Sequence, residues 1–121
     1  LHQGELTLIY YVDIDGTVCT WAHGIPYAAA LPYKDRIAHF TNLCDEGQEI
    51  HYWTARGSLH GEDYLEITLK QLRDWGVKAT SISTGKPHYD YWIDDKAKNV
   101  DDYFTEELEK DLKTIDSINL L

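Results

Sequence analysis

Two aspartates one residue apart, Asp13 and Asp15, end an apolar run and open into Gly16-Thr17. A carboxylate can attack an electrophile, exchange a proton or hold a hard cation, and two of them on alternate sides of a strand end can divide those tasks. Three further polar sets follow: Thr54, Lys86 between Gly85 and Pro87, and the adjacent pair Asp94-Asp95. Together they make chemical sense as acids for a hard cation, a hydroxyl and a lysine for phosphate oxygens, and one carboxylate left to attack. Each set also has a plain competing account. Asp-Gly is a common hairpin turn, Thr54 can bond a nearby backbone group, Lys86 can be a solvated loop lysine, and Asp94 or Asp95 can cap a helix. The joint occurrence of all four, in this order, favours the chemical reading.

The intervening sequence must bring these sets together. Leu6, Leu8, Ile9, Tyr10, Tyr11 and Val12 form a nearly continuous β-branched and aromatic run, which predicts a strand buried on both faces of a parallel sheet. Val18 to Tyr27, punctuated by Gly24 and Pro26, predicts a hairpin or flap over the mouth of that strand. Ile37, Phe40, Leu43 and Cys44 recur at helical spacing between Tyr33 and Glu46, and Gly47 is placed as a stop. Glu49 to Trp53 predicts a second strand. Glu62 to Trp75 predicts a helix with Leu65, Leu69 and Leu72 on one face, Thr68 beside them and Gly76 closing it. Val77 to Ser83 offers a weaker strand, Tyr91-Trp92-Ile93 another brief buried one, and Thr105 to Ile115 a last helix with Leu108, Leu112 and Ile115 facing inward. Strands alternating with helices predict an α/β fold, and a doubly wound sheet places ligands beyond the carboxyl ends of its strands, where all four polar sets fall.

Bulk properties narrow the partners. A chain of 121 residues suits one domain spanning 1–121, and 43% hydrophobic and 12% aromatic content is ordinary for a globular protein. A net charge of −10 opposes nucleic acid and acidic membranes, because backbone binding depends on Lys and Arg neutralising phosphates. Cys19 and Cys44 are too few for a disulfide framework and lack metal-ligand spacing, as do the six histidines. No apolar run is long enough to span a bilayer, and no signal peptide is evident. Cytoplasmic localisation is the default expectation, although the opening Leu1-His2-Gln3-Gly4, without an initiator methionine, is compatible with a trimmed end.

The four sets resemble the ordered motifs of the haloacid dehalogenase superfamily in its phosphatase form. Asp13-Ile14-Asp15-Gly16-Thr17 looks like the first motif, Thr54 after Ile50-His51-Tyr52-Trp53 like the second, Lys86 like the third and Ile93-Asp94-Asp95 like the fourth. The resemblance implies a Rossmann-like parallel sheet with flanking helices and a short flap after the first strand. By the same resemblance Asp13 attacks phosphorus to form an aspartyl-phosphate, and Asp15 protonates the leaving oxygen and then activates water. Mg2+ is implied at the Asp13 carboxylate, the Asp15 backbone carbonyl and the Asp94 carboxylate, with Asp95 acting directly or through water. Thr54 and Lys86 would hold phosphate oxygens.

The segments between these motifs leave no room for a cap domain, so the chain resembles the capless branch of that superfamily. That branch includes sugar-acid phosphatases that cover their sites by forming homo-oligomers, and enzymes acting on polynucleotide or phosphoprotein ends. The acidic balance turns the expectation toward a phosphorylated sugar or similar metabolite. Trp21, His23 and Tyr27 on the flap and Arg56 beyond Thr54 are the candidate substrate contacts, Arg56 through its planar fork. The competing accounts are aromatics that pack on a neighbouring helix and an Arg56 that pairs with an acid. A receiver-like phosphorylated switch is the rival function, but receivers carry their adjacent acid pair at the first strand, whereas here it comes last. An inactive binding module on the same fold is the third reading.

Overall fold

Alternation along Ile9–Val12 (β1) turns Tyr10 and Val12 to one face and Ile9 and Tyr11 to the other. β1 pairs in parallel with Glu49–Trp53 (β2), Tyr10 opposite Ile50 and Val12 opposite Tyr52. β2 pairs in parallel with Ser81–Ser83 (β3), Tyr52 opposite Ile82. The result is an α/β, Rossmann-like arrangement, a three-stranded parallel sheet in the order β1-β2-β3 with flanking helices. The computed structural model describes residues 6–119, in two compact units that divide between His88 and Tyr89.

In the first unit the core lies on the Tyr10 face. Val12, Ile50 and Tyr52 are buried there with Ile37 and Phe40 from the helix Lys34–Asp45 (α1) and Leu72 from the helix Leu65–Asp74 (α2). The Phe40 ring meets those of Tyr10 and Tyr52 edge-on, each at a centroid separation of 6.4 Å. Both helices stop where the glycines predict. Gly47 and Gln48 donate back to the carbonyls of Cys44 and Leu43, and Gly76 and Val77 do the same to Arg73 and Leu72, which satisfies the last carbonyls of each helix.

β1 differs from expectation. It begins at Ile9 rather than Leu6, and it is not buried on both faces: Ile9 and Tyr11 are 62% and 68% exposed. The reason is its place at one edge of the described sheet, where only alternate residues meet α1. The run Val77–Ser83 likewise shortens to Ser81–Ser83.

The second unit carries Val100–Asn119 (α3), five residues longer at its start than the apolar pattern predicts. Asn99 explains the extension, since its side-chain oxygen accepts from the Asp101 N–H at 2.9 Å and its carbonyl from the Tyr103 N–H at 3.0 Å. Tyr91-Trp92-Ile93 forms no strand, and Tyr91 and Ile93 are almost fully exposed. Three residues close too few ladder bonds to fix a strand without a partner already in place. Leu108, Leu112 and Ile115 are about half exposed rather than inward, because within their own unit only the short stretch 89–99 is available to cover them. No described helix is long and apolar enough to cross a membrane.

Candidate active site

Both aspartates leave β1 as expected, and Gly16, at a φ of +76°, turns the chain immediately after Asp15. The Gly16 N–H donates to the Cys19 carbonyl, and Thr17 and Val18 both donate to that of Ile14, so the turn is closed by its own backbone. The chain continues as the flap. Thr20 donates to the Leu31 carbonyl and Tyr33 to that of Val18, which pairs the two arms antiparallel, and Tyr27–Ala29 forms a single turn of 3-10 helix between them.

The two carboxylates stand in different surroundings. Asp13 is about one-third exposed, and its nearest cation is Lys86, whose Nζ lies 3.7 Å from Oδ1. Burial pushes the Asp13 carboxyl above its ordinary value, and the opposing pull of Lys86 and of the Ile14 backbone N–H does not fully offset it. Asp15 is held from both sides by Arg56, with Nε donating to Oδ2 at 2.9 Å and Nη2 to Oδ1 at 2.8 Å.

Arg56 is 2% exposed and has no donor left over. Besides the two bonds to Asp15, Nη1 donates to Thr68 Oγ1 at 3.2 Å and Gln71 Oε1 at 2.7 Å, and Nη2 lies 4.0 Å from Cys19 Sγ. That accounts for all five N–H groups of a guanidinium. The pairing with an acid is therefore what the structure contains, and a substrate grip by Arg56 would first have to break it. Gln71 carries the network onward, its amide donating to the Tyr27 carbonyl at 2.7 Å, and the Arg56 guanidinium sits 4.8 Å from the centre of the Tyr27 ring. Asp15 is thus joined through two side chains of the β2–α2 region to the 3-10 turn of the flap.

Thr54 and Lys86 meet in the same region. The Lys86 N–H donates to the Thr54 carbonyl at 3.1 Å, Ser58 Oγ donates to the Lys86 carbonyl at 2.6 Å, and the Trp53 indole donates to Thr84. Three groups from the end of β2 therefore fasten the loop that carries Lys86. Thr54 is buried, and its hydroxyl oxygen accepts from the Arg56 N–H while keeping its own hydrogen to donate.

Trp21 and His23 are exposed on the flap, and Tyr27 is half-buried with its ring edge-on to Tyr64 at 5.1 Å. A cavity of about 230 Å³ opens at Asp15 between Thr20, Trp21, Ile25, Tyr27 and Leu31. Asp94 and Asp95 belong to the second unit and are exposed there. The Lys96 N–H donates to Asp94 Oδ1 at 2.8 Å and, with help from Asp95, holds the Asp94 carboxyl below its ordinary value.

Among the described residues, no three His, Cys, Asp or Glu side chains gather as a metal cluster. The Asp13 carboxylate nonetheless suits a hard cation, being an accessible oxygen donor whose burial leaves its charge incompletely offset. Magnesium asks for little more, since it binds through one or two carboxylates together with waters and phosphate oxygens.

Sequence reasoning reached Asp13, Asp15, Thr54, Arg56 and Lys86 but not Cys19, Gln71 or Thr68 as partners in the Arg56 network. Thr68 left a trace, as a polar residue within an apolar helical face; Gln71 left none.

Compared with known proteins, the chain resembles an MCSG target from Vibrio cholerae, known from its crystal structure. The two share 28% identity over 80% of this chain and 87% of that one, with a TM-score of 0.68. No family model matches the chain, and no curated protein matches it.

Proposed function

We propose that the chain is a magnesium-dependent hydrolase of small phosphomonoesters that works through an aspartyl-phosphate. The observation that carries this reading is the pairing of an accessible Asp13 carboxylate with Lys86 at 3.7 Å, two residues before an acid clamped by arginine. A nucleophile needs open space and a nearby cation to receive the phosphoryl charge, and Asp13 has both. An oxygen of Asp13 bonds to phosphorus as the bond to the leaving oxygen breaks, and that oxygen takes the proton that Asp15 must carry into this step as its carboxylic acid. Water then attacks phosphorus, its proton passes to Asp15, and phosphate departs as the Asp13 carboxylate is restored. Arg56 occupies one lone pair on each Asp15 oxygen and leaves others for this proton, so it orients the carboxylate without blocking it. The Lys86 ammonium and the Thr54 hydroxyl hold phosphate oxygens.

Within the first unit, Asp13 and the Asp15 carbonyl would hold magnesium, with waters and phosphate oxygens completing its shell. When bound, the ion offsets phosphate charge. Phosphate release from a panel of monoesters, with magnesium and with chelator, tests the reading. Metal-dependent release is expected, and full activity in chelator would overturn the magnesium requirement. A stable phosphoryl group on the protein without release would instead mark a switch.

A further inference from the structure

We infer that the cavity beside Asp15 receives a flat, apolar leaving group, so that the favoured substrates are phosphomonoesters of aromatic or otherwise apolar alcohols rather than of sugars. This rests on the phosphatase reading above, because the residue that exchanges a proton with the leaving oxygen must stand at the leaving-group side. The space that Asp15 opens into is therefore the place for the alcohol.

The walls of that space decide its chemistry. Its side chains are apolar apart from Asp15, Thr20 and the Tyr27 hydroxyl, and Thr20 Oγ1 already accepts from the Leu31 N–H at 2.9 Å. Trp21, Ile25 and Leu31 around it are 59%, 55% and 67% exposed, so large apolar side chains at this cavity face water. The same stretch from Trp21 to Tyr27, His23 included, also walls a second cavity of about 580 Å³, which adds His60, Tyr64 and Ile67. A sugar placed here would give up water from several hydroxyls and find few partners, whereas an aromatic ring would cover apolar surface already in water.

Charge points the same way. Neither cavity is lined by a lysine or arginine, and Arg56, the cation nearest in the fold, has all its donors committed. In the cavity beside Asp15 a carboxylate or second phosphate on the leaving group would meet no cationic side chain, and in the second cavity only the imidazoles of His23 and His60. The flap is also anchored in place by the bond from Gln71 to Tyr27, so the apolar wall is fixed relative to Asp15.

Benzyl phosphate and glucose 6-phosphate give a fair test, because both release a primary alcohol and leaving-group acidity does not set the difference. With magnesium and the intact chain, kcat/KM is expected to favour benzyl phosphate at least tenfold. Trp21→Ala and Leu31→Ala should each bring the ratio down severalfold, mainly through KM for the benzyl ester. Equal or better turnover of glucose 6-phosphate would overturn this inference and leave the phosphatase reading standing. So would a ratio that neither substitution moves. Release from neither ester, nor from any other in the panel, would overturn the phosphatase reading itself.

Discussion

Asp13 and Asp15 are two residues apart, yet one stands half in the open with a single lysine at 3.7 Å and the other is gripped through both oxygens by a buried arginine. The contrast comes from the elements behind them. The loop after β3 offers Asp13 one ammonium at 3.7 Å, whereas the chain leaving β2 and the α2 side chains Thr68 and Gln71 build a cradle around Arg56. A planar fork bonded at every corner fixes orientation; a lone ammonium supplies charge and leaves room. The arrangement sets an accessible carboxylate and a firmly held one within one turn of chain.

The largest expected effect is at the open carboxylate. Asp13→Asn should lower kcat on the order of 10⁴-fold or more, since an amide cannot take the nucleophile's part. Stability should change little, because no strong partner is lost. Turnover near that of the native chain would end the assignment of Asp13 and make the comparison between the two carboxylates purely structural.

At the clamped carboxylate the expected loss is divided differently. Arg56→Ala leaves Asp15 without its partner in a largely buried position and should cost about 3–5 kcal/mol of stability by denaturant unfolding. Arg56→Lys keeps the charge but not the fork, so it should recover part of that stability while kcat stays depressed. If Arg56 were instead a substrate contact, the alanine variant would be as stable as the native chain and would show a raised KM.

Lys86→Ala sharpens the other side. Loss of a preorganised cation near the phosphoryl group should lower kcat/KM by roughly 10²-fold. Its pairing with Asp13 is long, at 3.7 Å, so the stability change should stay below that of Arg56→Ala. Lysine and arginine variants would thus separate cleanly, one in rate and the other in unfolding free energy. A Lys86→Ala protein as destabilised as Arg56→Ala would erase the distinction.

Much of this was legible in the sequence because local rules dominate where they agree. The glycines after α1 and α2 stop their helices, β2 spans the predicted Glu49–Trp53, and Asp13, Asp15, Thr54 and Lys86 follow strand ends, whereas Asp94 and Asp95 do not. What the sequence could not say was which of Arg56's two readings holds. A planar cation two residues after Thr54 suits either a ligand or an acid, and only the fold shows that Thr68, Gln71 and Cys19 surround it. Tyr91-Trp92-Ile93 failed for a different reason. Its β-branched and aromatic character is a preference for a pleated, half-buried surface, and the preference creates no such surface for a three-residue run.

The smallest effect uses a cysteine as a reporter on the clamped side. Cys19 is fully buried, with its thiol toward the Ile14 carbonyl and 3.5 Å from Asp15 Oδ1. Burial, and then the Asp15 charge, pushes that thiol up from 9.0 to about 12. Alkylation requires the thiolate, so at pH 8 to 9 Cys44, which is partly exposed, should be labelled well before Cys19. The sign of the linked stability follows. A thiol that holds its proton more tightly when folded contributes stability that is complete below 9.0 and is lost as pH rises toward about 12, so alkaline unfolding should expose Cys19 to label in that window. Arg56→Lys loosens the cradle around Asp15 and should speed Cys19 labelling at pH 8 severalfold without changing that of Cys44. Equal labelling of both cysteines in the native chain would show that the clamped side opens as readily as the side carrying Asp13.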